Sequence, residues 1–144
     1  MKTEIISAFC GTGKSYLCSN FPNDYKEVEC WEYRTGDFPN NYIKDVISLI
    51  DKTKYIFIST DPVILRALNE LNIKFHLVYP DITLRNEYLD RYIERDNPYD
   101  FIGTIMKNWN IWINELKDIK FCNHTVLKSG EYLNDIIKND NNAT

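Results

Sequence analysis

The sequence predicts an α/β fold: a parallel sheet with helices on both faces. Strand-like and helix-like segments alternate from residue 4 to residue 137. The run Tyr55-Ile56-Phe57-Ile58-Ser59 is apolar without alternation until its last residue, as expected of a strand covered on both sides. A Gly-rich turn, Cys10-Gly11-Thr12-Gly13-Lys14-Ser15, separates an apolar strand from a short helix.

Each element has its own reason. Residues 4–9 are β-prone and apolar, and residues 14–21 read as a helix stopped by Pro22. A second strand is expected over 28–33, followed by a loop with Gly36 and Pro39. Over 42–51, Ile43, Val46, Ile47 and Ile50 fall on one helical face. The apolar strand 55–59 follows. Asp61-Pro62 then opens a helix with an acidic N-cap and Pro in its first turn, and Ile64, Leu68 and Leu71 form its apolar stripe. A fourth strand is expected over 73–79, ended by Pro80, and helices over 84–95 and 101–117. The longer helix carries Ile105, Trp109, Trp112, Ile113 and Leu116 at helical spacing. A last strand over 121–127 and a helix over 132–137 complete a five-stranded parallel sheet within one domain, 1–138. Residues 139–144 are expected to be unstructured.

At 144 residues the chain is one domain by length, with 44% hydrophobic and 26% charged residues. A net charge of −4 argues against a nucleic-acid-binding surface, which needs a basic field. No apolar run has the ~20 residues needed to span a bilayer. The first residues lack a basic-then-apolar leader, so the cytoplasm is the expected location. Cys10, Cys18, Cys30 and Cys122 show no metal-ligand spacing and are expected as free thiols. Cys10 is either a reactive thiol or a small residue that fits the turn. His76 and His124 are expected in satisfied structural positions.

The Gly-rich turn carries the most specific chemistry. Residues 8–15 fit the phosphate-loop pattern G-x-x-x-x-G-K-[ST], with Ala8 at the first Gly position. Successive backbone amides in such a turn form an anion nest at a helix N-terminus. Cys10, Gly11, Thr12, Gly13, Lys14, Ser15 and Tyr16 are the expected cradle. Lys14 is expected to reach the β- and γ-phosphates of ATP, and the Ser15 hydroxyl to ligate Mg²⁺.

Other candidates surround it. Asp61, at a strand end, is either a Mg²⁺-linked carboxylate or only a helix cap. Arg66 follows one turn later as a candidate for an acceptor phosphate. Glu32 and Arg34 lie where an acceptor would enter, and Trp31 and Tyr33 are either stacking platforms or core. On the helix over 84–95, Arg91 and Arg95 continue the stripe of Leu84 and Tyr88, opposite Asn86, Glu87, Asp90 and Glu94, with Arg85 beside it. These arginines either bind phosphate by bidentate forks or pair with carboxylates such as Glu87 at i,i+4. The turn Lys128-Ser129-Gly130-Glu131 is a candidate neighbour of a nucleotide base, through Lys128 and Gly130.

The chain resembles small phosphate-loop kinases of the nucleoside and nucleotide kinase superfamily, and in particular the short nucleotide-kinase-like proteins of phages. The resemblance rests on residues 8–15, the run 55–60, and Val78-Tyr79-Pro80-Asp81 followed by Glu87-Tyr88, Arg91 and Arg95. Asn108-Trp109 and Gly130-Glu131-Tyr132-Leu133 add to it. It implies a three-layer α/β/α fold and ATP-dependent phosphoryl transfer to a ribo- or deoxynucleoside monophosphate. It also implies a short helical lid, about 81–100, in which Arg91 and Arg95 act with Lys14 and Asp61 in catalysis. Glu32, Arg34, Arg66 and Arg85 would face the acceptor. The Asp-Gly-Phe-Pro-Arg type segment of adenylate kinases is absent, and residues 29–41 carry no acceptor motif. The alternatives are a kinase of another small acceptor or a polynucleotide 5′ end, and a nucleotide-binding regulator with little turnover. A monomer or homodimer is expected.

Overall fold

The computed structural model describes the backbone of residues 2–142 and the side chains of residues 2–137. Strand β1 (Glu4–Ala8) leads into helix α1 (Lys14–Asn20). Then come β2 (Tyr25–Glu27), α2 (Asn40–Leu49), β3 (Tyr55–Ile58), α3 (Pro62–Glu70) and β4 (His76–Pro80). Helices α4 (Arg85–Glu94) and α5 (Tyr99–Lys117), strand β5 (Asn123–Leu127) and helix α6 (Leu133–Asn142) complete the chain. Short 3₁₀ turns occupy Trp31–Tyr33 and Ile82–Leu84. The five strands are all parallel, in the order β2-β3-β1-β4-β5.

The period-2 alternation of a strand divides the apolar residues between the two sheet faces. Ile5, Ile56, Ile58, Leu77 and Tyr79 pack with residues of α2, α3, α4 and α5 in one core. Their neighbours Ile6, Phe57 and Val78 pack with Leu17 of α1 and with Leu133 and Ile137 of α6 in the other. Helices therefore cover both faces, an arrangement compatible with a three-layer α/β/α fold.

Strand β1 lies at the centre, with β3 on one side and β4 on the other. The chain fills one half of the sheet through β2 and β3, then crosses to build β4 and β5. The carboxyl end of β1 is thus the point where strand order reverses, the place at which open α/β sheets bind ligands. The Gly-rich loop springs from that end.

Element existence follows the sequence reading throughout, and one element is displaced. The second strand is not 28–33 but Tyr25–Glu27. Tyr25 stacks on Tyr55 at 4.9 Å and on Phe57 at 5.5 Å, which holds these residues in register beside β3. The ladder ends with Val28 N–H donating to the Phe57 carbonyl at 3.0 Å, and the chain then turns outward. Trp31 is consequently 71% exposed. Stripe edges shift too. Tyr42 and Leu65 are buried where Ile47 and Leu71 were expected, and both of those are exposed. Helix α6 continues to Asn142, across the start of the expected tail, and residues 143 and 144 lie outside the described residues.

Candidate functional site

The loop after β1 is held from beneath by its carbonyl groups. Thr12 Oγ1 donates to the Phe9 carbonyl at 2.7 Å, and Tyr92 Oη to that of Cys10 at 2.9 Å. Arg91 Nη1 donates to the Gly11 carbonyl at 2.9 Å, and the Leu133 N–H to that of Thr12 at 2.8 Å. Gly13 accepts the first turn of α1, from Leu17 N–H at 3.3 Å. By contrast, no amide from Cys10 to Ser15 donates to a protein group among the described residues. Gly11 and Gly13 have φ of +84° and +103°, conformations that side chains rarely adopt. A Cβ on Gly11 would lie 2.9 Å from Tyr92 Cε1, so the glycine is required by space as well as by dihedral angle.

Lys14 arches back over this loop. Its Nζ donates to the Ala8 carbonyl at 3.1 Å and pairs with Glu27 Oε2 at 3.3 Å. Glu27, at the end of β2, is a site residue that the sequence reading missed, because it placed the strand after this residue rather than through it. Burial, with the Glu27 charge beside it, pushes the Cys18 thiol up to about 11. That thiol is therefore protonated at neutral pH and a poor nucleophile.

Loop, strand ends and helices enclose a cavity of about 990 Å³. The size lies at the upper end of small-molecule sites, which run to about 1,000 Å³. The expected residues Cys10, Gly11, Gly13, Lys14, Ser15, Tyr16, Arg34, Arg91 and Arg95 line it. Glu27, Glu29, Trp31 and Arg34, at and after β2, line it, as do Tyr132, Asn134 and Asp135, after β5. Trp31 Nε1 donates to Glu29 Oε2 at 2.6 Å, which orients the exposed indole.

Several expected site residues lie elsewhere. Thr12 stays in the loop, but its side chain turns beneath it to the Phe9 carbonyl and is buried, so only its backbone is left to the site. Asp61 caps α3 through Oδ1, which accepts from Val63 N–H at 2.9 Å, and its other oxygen accepts from Arg34. It thus stands behind Arg34 and is not part of the cavity wall, and Cys30 Sγ approaches it at 4.0 Å. Glu32 does not line the cavity but belongs to an adjoining depression beside Asp45, which shares Glu27, Val28 and Glu29 with it. Arg85 donates to the Met106 carbonyl at 3.0 Å, and Arg66 is exposed on α3 away from the wall. Lys128 and Gly130 do not line the cavity; Tyr132, Asn134 and Asp135, just after them, do.

Arg91 and Arg95 part company. The Arg91 side chain is 8% exposed and pairs with Glu87 Oε2 at 3.1 Å, the i,i+4 partner anticipated as its alternative. Arg95 is exposed at the cavity wall. Glu87 also accepts from Gly130 N–H at 3.0 Å and from the Ser129 hydroxyl. Those bonds, with Arg91 beside them, hold its carboxyl below the usual carboxylate range.

Ser15 lines the cavity and is exposed, and its hydroxyl is an oxygen donor of the kind Mg²⁺ takes alongside phosphate oxygens and water. Among the described residues no three His, Cys, Asp or Glu side chains converge into a metal site. No helix among them is long and apolar enough to cross a membrane. No protein-family model matches the chain, and no curated protein sequence matches it.

Proposed function

We propose that this protein is an ATP-dependent phosphotransferase acting on a nucleoside monophosphate. One observation carries the reading. Six consecutive amides, from Cys10 to Ser15, have no protein acceptor among the described residues, while the carbonyls of the same loop are tied down beneath it. Such a row of donors beside a lysine, at the switch point of a parallel sheet, suits the oxygens of a polyphosphate.

In this reading Lys14 exchanges Glu27 and the Ala8 carbonyl for the β- and γ-phosphates, and Ser15 supplies a hydroxyl to Mg²⁺. The ion, when bound, offsets charge on the phosphate oxygens. The end walled by Glu29, Trp31 and Arg34 takes the acceptor, whose phosphate oxygen attacks the γ-phosphorus as the bond to the β-phosphate bridging oxygen breaks. Arg95, exposed on the wall, meets the charge that develops.

A second reading has its own support. Arg91 is already engaged by protein groups, which leaves fewer free cations for transfer than a lid with two arginines. A nucleotide-binding regulator needs only the loop. ADP release measured against a panel of ribo- and deoxynucleoside monophosphates and nucleosides separates them. We expect acceptor-dependent release that falls on the order of a hundredfold or more in Lys14→Ala. Tight Mg-ATP binding without release with any acceptor selects the regulator, and neither binding nor release rejects both.

A further inference from the structure

Arg91 joins three parts of the chain that are far apart in sequence. Its Nη1 donates to the Gly11 carbonyl at 2.9 Å, in the loop. Its Nη2 donates to Glu87 Oε2 on α4 and to the Glu131 carbonyl after β5, both at 3.1 Å. The guanidinium carbon lies 4.3 Å from the centre of the Tyr88 ring and 3.9 Å from that of Tyr132. A cation this deep is rarely found unpaired, and here three hydrogen bonds and two tyrosine rings hold it. These groups of the protein hold the guanidinium in place before any ligand is present.

What the guanidinium does follows from peptide geometry. In a planar trans peptide the C=O and the next residue's N–H point in opposite directions. Drawing the Gly11 carbonyl down towards α4 therefore aims the Thr12 amide the other way. Tyr92, on the Cys10 carbonyl, does the same for the Gly11 amide. Leu133 N–H, on the Thr12 carbonyl, does it for the Gly13 amide. Three neighbouring amides are thus aimed by three bonds made on the far side of the loop.

We propose that Arg91 is a positioning residue for anion binding, acting through the Gly11–Thr12 peptide and not on the transferred group. The inference rests on the loop being the phosphate site, and it divides the roles of the two arginines: Arg91 shapes the cradle, and Arg95 remains free to meet the ligand.

The test compares wild type with Arg91→Lys, which keeps the charge but not the planar fork, and with Glu87→Gln, which loosens the guanidinium from behind. Both are to be checked for wild-type far-UV circular dichroism; Arg91→Ala, which strands several acceptors, is not relied upon. ADP is the probe, because it lacks the γ-phosphoryl group. Titration calorimetry at a temperature where circular dichroism shows each variant folded should show ADP affinity falling in Arg91→Lys. The expected loss is roughly ten- to a hundredfold, the range for residues that orient a ligating group. Backbone ¹⁵N order parameters across residues 10–15 should also fall without ligand. Wild-type ADP affinity in Arg91→Lys with a reduced kcat would overturn the proposal in favour of direct contact. A lowered melting temperature with unchanged ADP affinity would overturn it in favour of a purely structural brace. If wild type itself binds neither ADP nor pyrophosphate, the phosphate-loop reading fails. Order parameters over residues 10–15 then decide separately whether Arg91 orders the loop, and wild-type values in Arg91→Lys reject that role.

Discussion

A single methyl group added at Gly11 would test the loop at the scale of one residue. With φ at +84° and Tyr92 Cε1 2.9 Å from the position of a Cβ, alanine there meets strain and a clash together. Gly11→Ala should cost about 1–3 kcal/mol, measured by urea denaturation. It should also weaken nucleotide binding, because the strain falls on a peptide that aims an amide. A variant as stable as wild type would mean that the ring of Tyr92 moves aside freely. The loop glycines, Lys14 and Ser15 were legible in the sequence because their chemistry is local: a turn, a helix start and a reach of one side chain. Glu27 was not, because its partnership with Lys14 depends on where β2 ends and on α1 lying against that strand. Nor could spacing alone decide Arg91, since the same helical stripe serves a phosphate contact or a buried brace. Its depth between Tyr88 and Tyr132 comes from the turn after β5, residues 129–132, lying against α4.

Between elements, two polar links repay attention. The Tyr42 hydroxyl, fully buried on α2, donates to the Val28 carbonyl and accepts from Ser59 N–H at 3.0 Å. It ties the helix to the carboxyl ends of β2 and β3, and burial pushes its ionisation well above the usual tyrosine range. Tyr42→Phe leaves two backbone groups unpaired and should cost about 1–3 kcal/mol in thermal or urea unfolding. Glu87 links α4 to the turn at 128–131. Gly130 N–H, the Ser129 hydroxyl and Arg91 lower its folded pKa from the ordinary 4.5. The unfolded chain then binds the proton more readily, so stability rises with pH across this range. The contribution is complete above about pH 5 and is lost as the pH falls from 4.5 through the lowered value. Melting temperatures of Glu87→Gln and wild type should therefore converge on acidification; a constant gap down to pH 3 would contradict the assignment. Helices and strands were legible as periods, down to the Asp61 cap and the Pro in the first turn of α3. The second strand was misplaced because residues 28–33 have strand-like composition, whereas the ring stack of Tyr25, Tyr55 and Phe57 selects residues 25–27, and only the assembled sheet makes that stack.

For the molecule as a whole, the loop is the piece of backbone that both sides of the sheet grip. Arg91 and Tyr92 reach it from α4, and Leu133 from α6. A ligand seated there stabilises the native state as one unit. At a hundred times its Kd, Mg-ATP should add about 2.7 kcal/mol and raise the melting temperature by roughly 5–10 °C. No shift at millimolar Mg-ATP would count against every nucleotide-based reading. The layered architecture was legible from the alternation of elements; the strand order that puts β1 at the centre was not, since five parallel strands allow several orders. The outward turn after β2 has one more consequence. Of the three tryptophans, Trp109 is fully buried and Trp112 partly so, while Trp31 stands in solvent at the cavity rim. The molecule thus carries its own optical reporter. Trp31 emission should be red-shifted and readily quenched by acrylamide, and should vanish from the spectrum in Trp31→Phe. An acceptor that settles against the indole should shift the emission to the blue and shield it from quencher, whereas a nucleotide confined to the wall at Tyr132 and Asn134 should leave both wavelength and quenching unchanged.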